Sequence, residues 1–249
     1  METSLISVIT PSFNSERFIK ETIQSVKSQT YSNWEMIIVD DASTDKTREI
    51  IDEESKSEKR IKVLYLEKNS GPAVCRNKAI DMACGDYFAF LDSDDIWHPK
   101  KLETQVKFME REELAFSFTS YVIVNEDGSY TGKSVKVPRT ITYNKLLKNT
   151  IIGCLTVMLD VRKIGKLHMP NIRAGQDTAY WLKILKKGYT AYGLNEQLST
   201  YRKVNNSVSS NKLKALRRTW VIYRRVEQLS FLKATWCFGN YLINAAKKR

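Results

Sequence analysis

The chain has 249 residues, which is enough for one large domain or one and a half, and 42% of them are hydrophobic, which supplies a core. Charged residues make up 27%, a share ordinary for a soluble protein. The formal net charge of +12 predicts an anionic partner, which is a nucleic acid, an anionic membrane surface or a phosphorylated substrate.

The sequence argues against several classes of protein. No apolar run approaches the length of a membrane-spanning helix, and the first residues lack the order of a signal peptide, so we expect an intracellular protein. The four cysteines are scattered without metal-binding spacing, which indicates reduced thiols rather than a disulfide framework. Two histidines in the whole chain argue against a zinc site.

Strand and helix patterns alternate through residues 1–112. Short apolar runs predict strands at 5–9, 34–39, 61–66 and 87–91. Helical patterns follow each run, with Ser15 as the expected first cap, a cap signal at 43–45, a helix over 74–83 and a helix beginning at Pro99. This alternation predicts an α/β fold with a parallel sheet and crossover helices.

The fourth apolar run ends abruptly in three carboxylates, Asp92, Asp94 and Asp95. In an extended chain Asp92 and Asp94 would share a face, while Asp95 would point elsewhere. Two neighbouring carboxylates on one face repel each other unless a hard cation such as Mg²⁺ or Mn²⁺ lies between them and the phosphates of a ligand. The alternative is an Asp-rich turn that caps the next helix.

The loops after the first, second and fourth predicted strands fall on one edge of the sheet. They contain Pro11 to Asn14, the pair Asp40 and Asp41, and the carboxylates after residue 91. Their convergence predicts a nucleotide site, although Asp40 and Asp41 alone could be a helix cap. Neither Gly-x-Gly-x-x-Gly after the first strand nor a P-loop occurs, which argues against a dinucleotide dehydrogenase or a P-loop enzyme.

Four motifs occur in a recognisable order: Ile6 to Asn14, Ile37 to Asp45, Asn69 to Asn77 and Phe90 to Asp95. Together they resemble the family 2 glycosyltransferases, which are inverting enzymes of the GT-A fold. The resemblance covers at least Leu5 to Tyr201 and is greatest to small bacterial enzymes that build teichuronic acid, capsule or O-antigen sugars. It implies a Rossmann-like nucleotide-binding sheet with helices on both faces, in which residues 1–112 bind the nucleotide sugar.

The resemblance also implies roles for single residues at the donor. Asp41 would hydrogen-bond a uracil, and Arg76 would lie beside the base or the phosphates, although by itself it reads as a solvated helix residue. Asp94 would be the direct ligand of a divalent cation, Mn²⁺ or Mg²⁺, and Asp92 would contact the metal or the ribose. The remaining donor-binding positions are Pro11, Phe13, Glu16 and Ser93.

Residues 113–210 would form the acceptor half of the same catalytic domain. Alternation over 114–124 followed by a turn at 125–128 predicts a hairpin. A short helix is expected over 143–149, a buried strand over 153–159 and a turn at 163–165.

Asp177 precedes a helical pattern rich in aromatic residues. By itself it reads as a helix N-cap. The resemblance makes it the general base, because the family has a Glu-Asp pair at this place. Here the pair is Gln176 and Asp177, and one carboxylate is sufficient to deprotonate an attacking hydroxyl.

The segment from Tyr201 to Ser209 resembles a family segment that closes over the diphosphate. Val204 stands where the family has a histidine, so a third protein ligand to the metal is not expected. Arg202, Lys203 and Ser207 are candidate diphosphate contacts.

Residues 211–249 form a tail of different character. Ten basic residues and one acid, Glu227, are interleaved with aromatic and aliphatic residues from Lys212 onward. This pattern predicts either an element at an anionic membrane surface or a C-terminal helix pair packed on the catalytic domain with solvated basic faces.

The sequence therefore predicts an inverting, metal-dependent hexosyl- or N-acetylhexosaminyltransferase that uses a UDP-sugar. The acceptor would be a hydroxyl of a lipid-linked glycan, reached by a cytoplasmic enzyme that is peripheral to the inner face of the cell membrane. A nucleotidyltransferase is the first alternative, although the Gly-rich loop that it normally carries is absent. A nucleic-acid-binding module is disfavoured, because the converging carboxylates would repel phosphate.

Overall fold

The computed structural model describes residues 4–172, 174–204 and 212–247. Ten strands in these ranges are β1 Ile6–Ser12, β2 Trp34–Asp40, β3 Ile61–Tyr65, β4 Tyr87–Phe90, β5 Ile96–Trp97, β6 Phe116–Val124, β7 Tyr130–Val135, β8 Thr140–Ile141, β9 Met158–Asp160 and β10 Ala191–Arg202. The helices are α1 Ile19–Lys27, α2 Thr47–Ser57, α3 Pro72–Met82, α4 Lys101–Arg111, α5 Tyr143–Leu146, α6 Val161–Ile164, α7 Gln176–Lys186, α8 Lys212–Val221 and α9 Phe231–Lys247. A 3₁₀ turn spans Cys154–Thr156, and a π-helical turn spans Ile222–Val226.

The strands form one sheet in the order β3-β2-β1-β4-β9-β6-β10-β5, with β7 on β6 and β8 on β10. The first four strands of this order are parallel, as the strand–helix alternation predicted. Strand β9 then runs antiparallel to both β4 and β6, and β10 is parallel to β6. The sheet is therefore mixed, and it continues from the first half of the chain into the second.

Strands β1, β2 and β4 are buried along their whole lengths, which is typical of a parallel sheet covered on both faces. Successive side chains alternate between two apolar clusters. Ile9 and Phe90 belong to the cluster with α3 and α7, whereas Val8 and Ala89 belong to the cluster with α1, α2 and α4. This arrangement confirms an α/β fold with helices on both faces of the sheet.

The first strand is longer than predicted, and the first helix begins later. Strand β1 includes Pro11, which pairs with Val39 of β2. The nitrogen of Pro11 faces the side on which β4 has already ended, so the missing N–H leaves no gap in the ladder. The expected cap at Ser15 was wrong, because α1 begins at Ile19 and the Ser15 carbonyl accepts from Phe18 and Ile19 in a preceding turn.

In the second half of the chain, one predicted strand was wrong and one observed strand was not predicted. The apolar run 153–159 is not a continuous strand, because it contains the 3₁₀ turn before β9 begins at Met158. A fully buried apolar run does not by itself reveal its conformation. The long strand β10 was not predicted, since polar residues near Gln197 interrupt its pattern where the register with β6 shifts. The hairpin of β6 and β7 and the short helix α5 are confirmed.

The tail packs against the catalytic domain with one face. Ile222, Tyr223 and Cys237 are buried in the cluster that contains α7. The buried Glu227 carboxylate accepts from the Tyr143 hydroxyl at 2.6 Å and from the Lys186 Nζ at 3.2 Å. In the described part of the chain, no helix is both long enough and apolar enough to cross a membrane.

Candidate active site

The loops that follow β1 and β2 are joined by hydrogen bonds, as their predicted convergence requires. The Asn14 amide donates to the Ser43 hydroxyl at 2.9 Å, and the Thr44 amide donates to the Asn14 side-chain oxygen at 2.9 Å. The Glu16 carboxylate accepts from the Lys46 amide at 2.9 Å. Pro11 is buried at the end of β1, while Phe13 is about half exposed at the same sheet edge.

Asp41 lies at the centre of this edge and is almost fully buried. Its two carboxylate oxygens accept from the backbone amides of Ser70 and Gly71 at 2.7 and 2.8 Å. The loop after β3 therefore contributes to the site, and the turn signal at Asn69 to Pro72 was the sequence feature that could have indicated it. The Cys75 side chain also hydrogen-bonds this carboxylate. Two carboxylate oxygens offer about four acceptor positions, which still leaves capacity for a base N–H.

Asp92, Ser93, Asp94 and Asp95 form a turn. The Asp95 amide donates to the Asp92 carbonyl at 3.1 Å, so the expectation of an extended chain here was wrong. The turn still brings the first two carboxylates close enough to interact. Burial and the charge of Asp92 together raise the pKa of Asp94 to about 6.

Asp95 is buried and has partners of its own. It accepts from the Arg202 amide at 3.0 Å, and its carbonyl accepts from the Thr22 hydroxyl at 2.8 Å. Burial, with the charges of Asp94 and Asp92, raises the pKa of Asp95 well above its usual value. Asp95 therefore ties the turn to β10 and α1.

Arg202 also supports this turn. Its Nε donates to the Asp94 carbonyl at 3.1 Å, its Nη1 donates to the Glu126 carbonyl at 3.2 Å, and its Nη2 donates to the Glu21 carboxylate. All three guanidinium nitrogens thus have protein partners. A diphosphate contact by Arg202 stays a prediction, as does one by the exposed Lys203, and Ser207 lies outside the described residues.

Arg76 of α3 is buried, so its interpretation as a solvated helix residue was wrong. It donates through Nη2 to the Asp92 carboxylate, whereas its Nε and Nη1 have no partner among the described residues. Burial alone would lower the pKa of Arg76, but Asp92, Cys154 and Asp177 outweigh it and the pKa is raised. A buried guanidinium with two unpaired nitrogens is costly unless an anion binds there.

Asp177 lies in the first turn of α7, one residue after Gln176, and is partly buried. Gly175 is the N-cap, so the reading of Asp177 as a cap was wrong. Asp177 is near enough to Arg76 for its charge to raise the pKa of that guanidinium. The Oε1 of the adjacent Gln176 is buried without a partner in the described chain. The start of α7 and the turn after β4 therefore face a common region around Arg76.

The tail contacts this region, which sequence reasoning missed. Gly175 has a φ of +77°, and a Cβ added there would lie 2.8 Å from the Arg218 Cδ and 2.9 Å from the Ile222 Cδ1. The segment from α8 into the π-helical turn thus packs directly on the N-cap of α7, two residues before Asp177.

The residues present suit a hard divalent cation in part. In the described ranges, no group of three or more acidic, histidine or cysteine side chains is arranged to hold a metal ion. Asp92 and Asp94 supply carboxylate oxygens, and a cation would offset both the burial and the Asp92 charge that raise the pKa of Asp94. Mg²⁺ is commonly held by one or two carboxylates together with substrate phosphates, so this pair fits such an ion.

Comparison with known proteins gives a consistent result. The model of the family described as "Glycosyl transferase family 2" matches residues 7–163. The chain is 56% identical over 245 residues to TuaG of Bacillus subtilis, a glycosyltransferase named for teichuronic acid biosynthesis. The aligned region covers 98% of this chain and 97% of that protein. It is 41% identical over 249 residues to WfgD of Escherichia coli, named a UDP-Glc:α-D-GlcNAc-diphosphoundecaprenol β-1,3-glucosyltransferase, with 100% and 96% covered.

Two solved structures share the fold. TarS residues 1–349 from S. aureus, in complex with UDP-GlcNAc, superimposes with a TM-score of 0.72 at 22% identity, covering 95% of this chain and 71% of that one. The mannosyltransferase PcManGT from Pyrobaculum calidifontis, in complex with GDP-Man and Mn²⁺, gives a TM-score of 0.71 at 17% identity, covering 97% and 74%.

The α/β sheet with its converging polar loops is the GT-A fold of nucleotide-sugar-dependent transferases. The chain belongs to glycosyl transferase family 2 and is a glycosyltransferase. The resemblance carried by the four sequence motifs is thereby confirmed.

Proposed function

We propose that this enzyme transfers a sugar from a UDP-sugar to a hydroxyl group of a lipid-linked glycan, with inversion at the anomeric carbon. The observation that carries the proposal is the buried guanidinium of Arg76. It is bonded to Asp92 and lies close enough to Asp177 for the charge of that carboxylate to act on it. Two of its nitrogens have no partner in the part of the chain that the structure describes. A diphosphate bound beside Arg76 would place the anomeric carbon of the donor between that leaving group and the carboxylate of Asp177.

The nucleotide would occupy the edge formed by the loops after β1, β2 and β3. Asp41 keeps acceptor capacity, and a carboxylate accepts from the ring N–H of uracil but not from cytosine, which presents an acceptor there. The half-exposed Phe13 supplies an apolar ring at the same edge. The names of WfgD and of the TarS complex, which include UDP-Glc and UDP-GlcNAc, support a uridine donor.

Asp92 and Asp94 would hold a divalent cation, Mn²⁺ or Mg²⁺, and the Mn²⁺ in the PcManGT complex supports this assignment. When bound, such a cation supplies positive charge opposite the negative charge of the leaving diphosphate. Arg76 adds charge-assisted hydrogen bonds from the protein to the same group. Arg202 and Asp95 keep the turn that carries both carboxylates in place.

Asp177 would act as the general base. The acceptor oxygen forms a bond to the anomeric carbon while the bond from that carbon to the diphosphate oxygen breaks, and the acceptor proton moves to the Asp177 carboxylate. UDP leaves with the electron pair of the broken bond. A single displacement of this kind inverts the anomeric configuration and needs no covalent intermediate.

The acceptor would be held by residues 113–210, whose strands β6 to β10 lie beyond β4 in the sheet. The name of WfgD includes a diphosphoundecaprenol-linked sugar, which supports a lipid-linked acceptor. The enzyme would then act at the inner face of the cell membrane as a peripheral protein. Residues 1–112 would bind the donor, in agreement with the placement of Asp41, Arg76 and Asp92.

The test is a donor screen with Mn²⁺ present, in which UDP-Glc, UDP-GlcNAc, UDP-Gal and GDP-Man are incubated with a GlcNAc-diphospholipid. We expect UDP release and a new glycolipid with only uridine donors, and NMR of the product should show the anomeric configuration opposite to that of the donor. Retention of configuration, or equal transfer from GDP-Man, would contradict the proposal. A competition by UDP and CDP in the same assay tests the role of Asp41.

A further inference from the structure

The outward side of α9 is an apolar surface, which we call the outer stripe. Its five large members are exposed by 41–82%: Phe231 64%, Leu232 82%, Trp236 65%, Leu242 41% and Ile243 57%. Soluble proteins seldom display contiguous large apolar side chains without a partner. The stripe therefore requires an occupant.

The stripe follows helical spacing along four turns. Thr235, Gly239 and Ala246 fill the positions between its large side chains, and all three are exposed. The opposite side of the same helix carries Ala234 and Cys237, which are buried against the catalytic domain. One face of α9 thus stabilises the fold, while the other face is exposed apart from the edge-to-face contact of Phe231 with the Trp220 ring.

The charge of the tail is almost entirely positive. Residues 212–249 contain ten basic residues and one acidic residue, which accounts for +9 of the net +12 of the chain. The single acid, Glu227, is buried and bonded to Tyr143 and Lys186. Arg225, in the π-helical turn before α9, and Lys233, on α9, are both exposed. The stripe is therefore an apolar surface inside a strongly cationic segment.

We infer that the outer stripe of α9 inserts into the headgroup region of an anionic lipid bilayer. Trp and Phe side chains are favoured at that depth, and each basic residue near an anionic surface contributes about 1 kcal/mol. A second copy of the chain is the other candidate occupant. It would place two tails of the same high positive charge against each other, which the charge distribution opposes.

Docking through the stripe would also orient the enzyme. The tail packs on Gly175, the N-cap of α7, through Arg218 of α8 and Ile222 of the π-helical turn. The tail that carries the outer stripe on α9 is thus in contact with the start of the helix that carries Asp177. The docking itself does not depend on the reaction, but its use in delivering a lipid-linked acceptor rests on the proposed function.

The experiment is flotation of the full-length protein with vesicles of phosphatidylcholine alone or mixed with phosphatidylglycerol. The test variant is Leu232→Ser with Trp236→Ser, and the matched control is Tyr130→Ser, which removes a side chain exposed by 60% on β7. We expect the wild type and the control to float with anionic vesicles at low salt, and the double variant to bind about 10-fold more weakly or worse. Equal flotation of the double variant, or no flotation of the wild type, would overturn the inference.

Charge and oligomeric state complete the test. Arg225→Glu with Lys233→Glu should weaken flotation with anionic vesicles only, and high salt should have the same effect on the wild type. The melting temperature and the lipid-free hydrolysis of a UDP-sugar should stay unchanged in all variants, which separates failed docking from failed folding and from a wrong donor. A dimer in sedimentation that the Leu232/Trp236 variant loses would show the stripe to be an interface between copies and would overturn the inference.

Discussion

The Arg76 guanidinium donates to the Asp92 carboxylate and thereby joins α3 to the turn after β4. The two residues are 16 positions apart, one in α3 and the other in the turn after β4. Arg76 is buried, and its Nε and Nη1 have no partner among the residues that the structure describes. The pair thus places a buried positive charge beside the carboxylates of the turn.

Arg76→Met should weaken the binding of UDP by about 10- to 100-fold, because a hydrogen bond to a charged group contributes roughly 1.5–3 kcal/mol. Calorimetric titration with UDP measures this effect. The control is Arg60→Met, which removes the Arg60–Glu58 ion pair at a partly exposed site before β3. If both variants bind UDP as the wild type does, Arg76 serves only the fold.

Asp94→Ala should abolish transfer and remove the dependence of UDP affinity on Mn²⁺ or Mg²⁺. The physical reason is that the cation would lose one of its two carboxylate ligands. UDP affinity with and without Mn²⁺ is the measurement. Metal-dependent affinity equal to that of the wild type would contradict the assignment of Asp94.

Asp177→Asn should lower transfer by roughly 10²- to 10⁴-fold, the range expected when a general base is removed. UDP affinity should be unchanged. The melting temperature should fall only slightly, because Gly175 and not Asp177 caps α7 and the substitution removes only the charge that acts on Arg76. A loss of stability with retained turnover would show a structural role instead.

Gly175→Ala should lower both the melting temperature and the transfer rate. Its φ of +77° strains any L side chain, and the new methyl group would displace Arg218 and Ile222 and with them the start of α7. Gly188→Ala is the matched control, because Gly188 has a φ of +99° and an added Cβ there meets nothing within 4 Å. The control should lose about 1 kcal/mol of stability through backbone strain but keep its transfer rate. Equal turnover in both variants would mean that the tail does not position α7.

Lys101 should make the free energy of unfolding depend on pH. It is fully buried, where it contacts the Trp97 ring and donates to Gln105, and burial lowers its pKa to about 7 from an ordinary value of 10.5. The unfolded chain therefore binds one more proton than the folded chain between about pH 7 and pH 10.5, so this group's contribution to stability rises with pH in that window.

Lys101→Met should remove this contribution. Denaturant unfolding of both proteins between pH 7 and pH 9.5 gives the comparison. The stability of the wild type relative to the variant should rise with pH, by at most about 1.4 kcal/mol per pH unit. Parallel pH profiles would show that Lys101 does not titrate in this window.

The sequence by itself determined the parallel half of the sheet and the position of the polar loops. Strand periodicity, helix periodicity and turn residues are local signals, and the carboxyl ends of parallel strands must meet at one edge. Asp41, Asp92 and Asp94 therefore had to lie at the same edge of the sheet whatever the rest of the chain did. The family resemblance of the four motifs named the reaction class for the same reason, since those motifs occupy the loops.

Only the tertiary structure decided what surrounds these residues. Burial of Arg76 depends on packing between distant elements, and no local pattern distinguishes it from a solvated helix residue. The sequence could not decide whether the tail meets a membrane surface or packs on the catalytic domain. Aromatic residues spread around a helix do not reveal which of them meet a protein surface. In the structure Cys237 faces the domain and Trp236, its neighbour in sequence, faces outward, since adjacent helical positions lie about 100° apart.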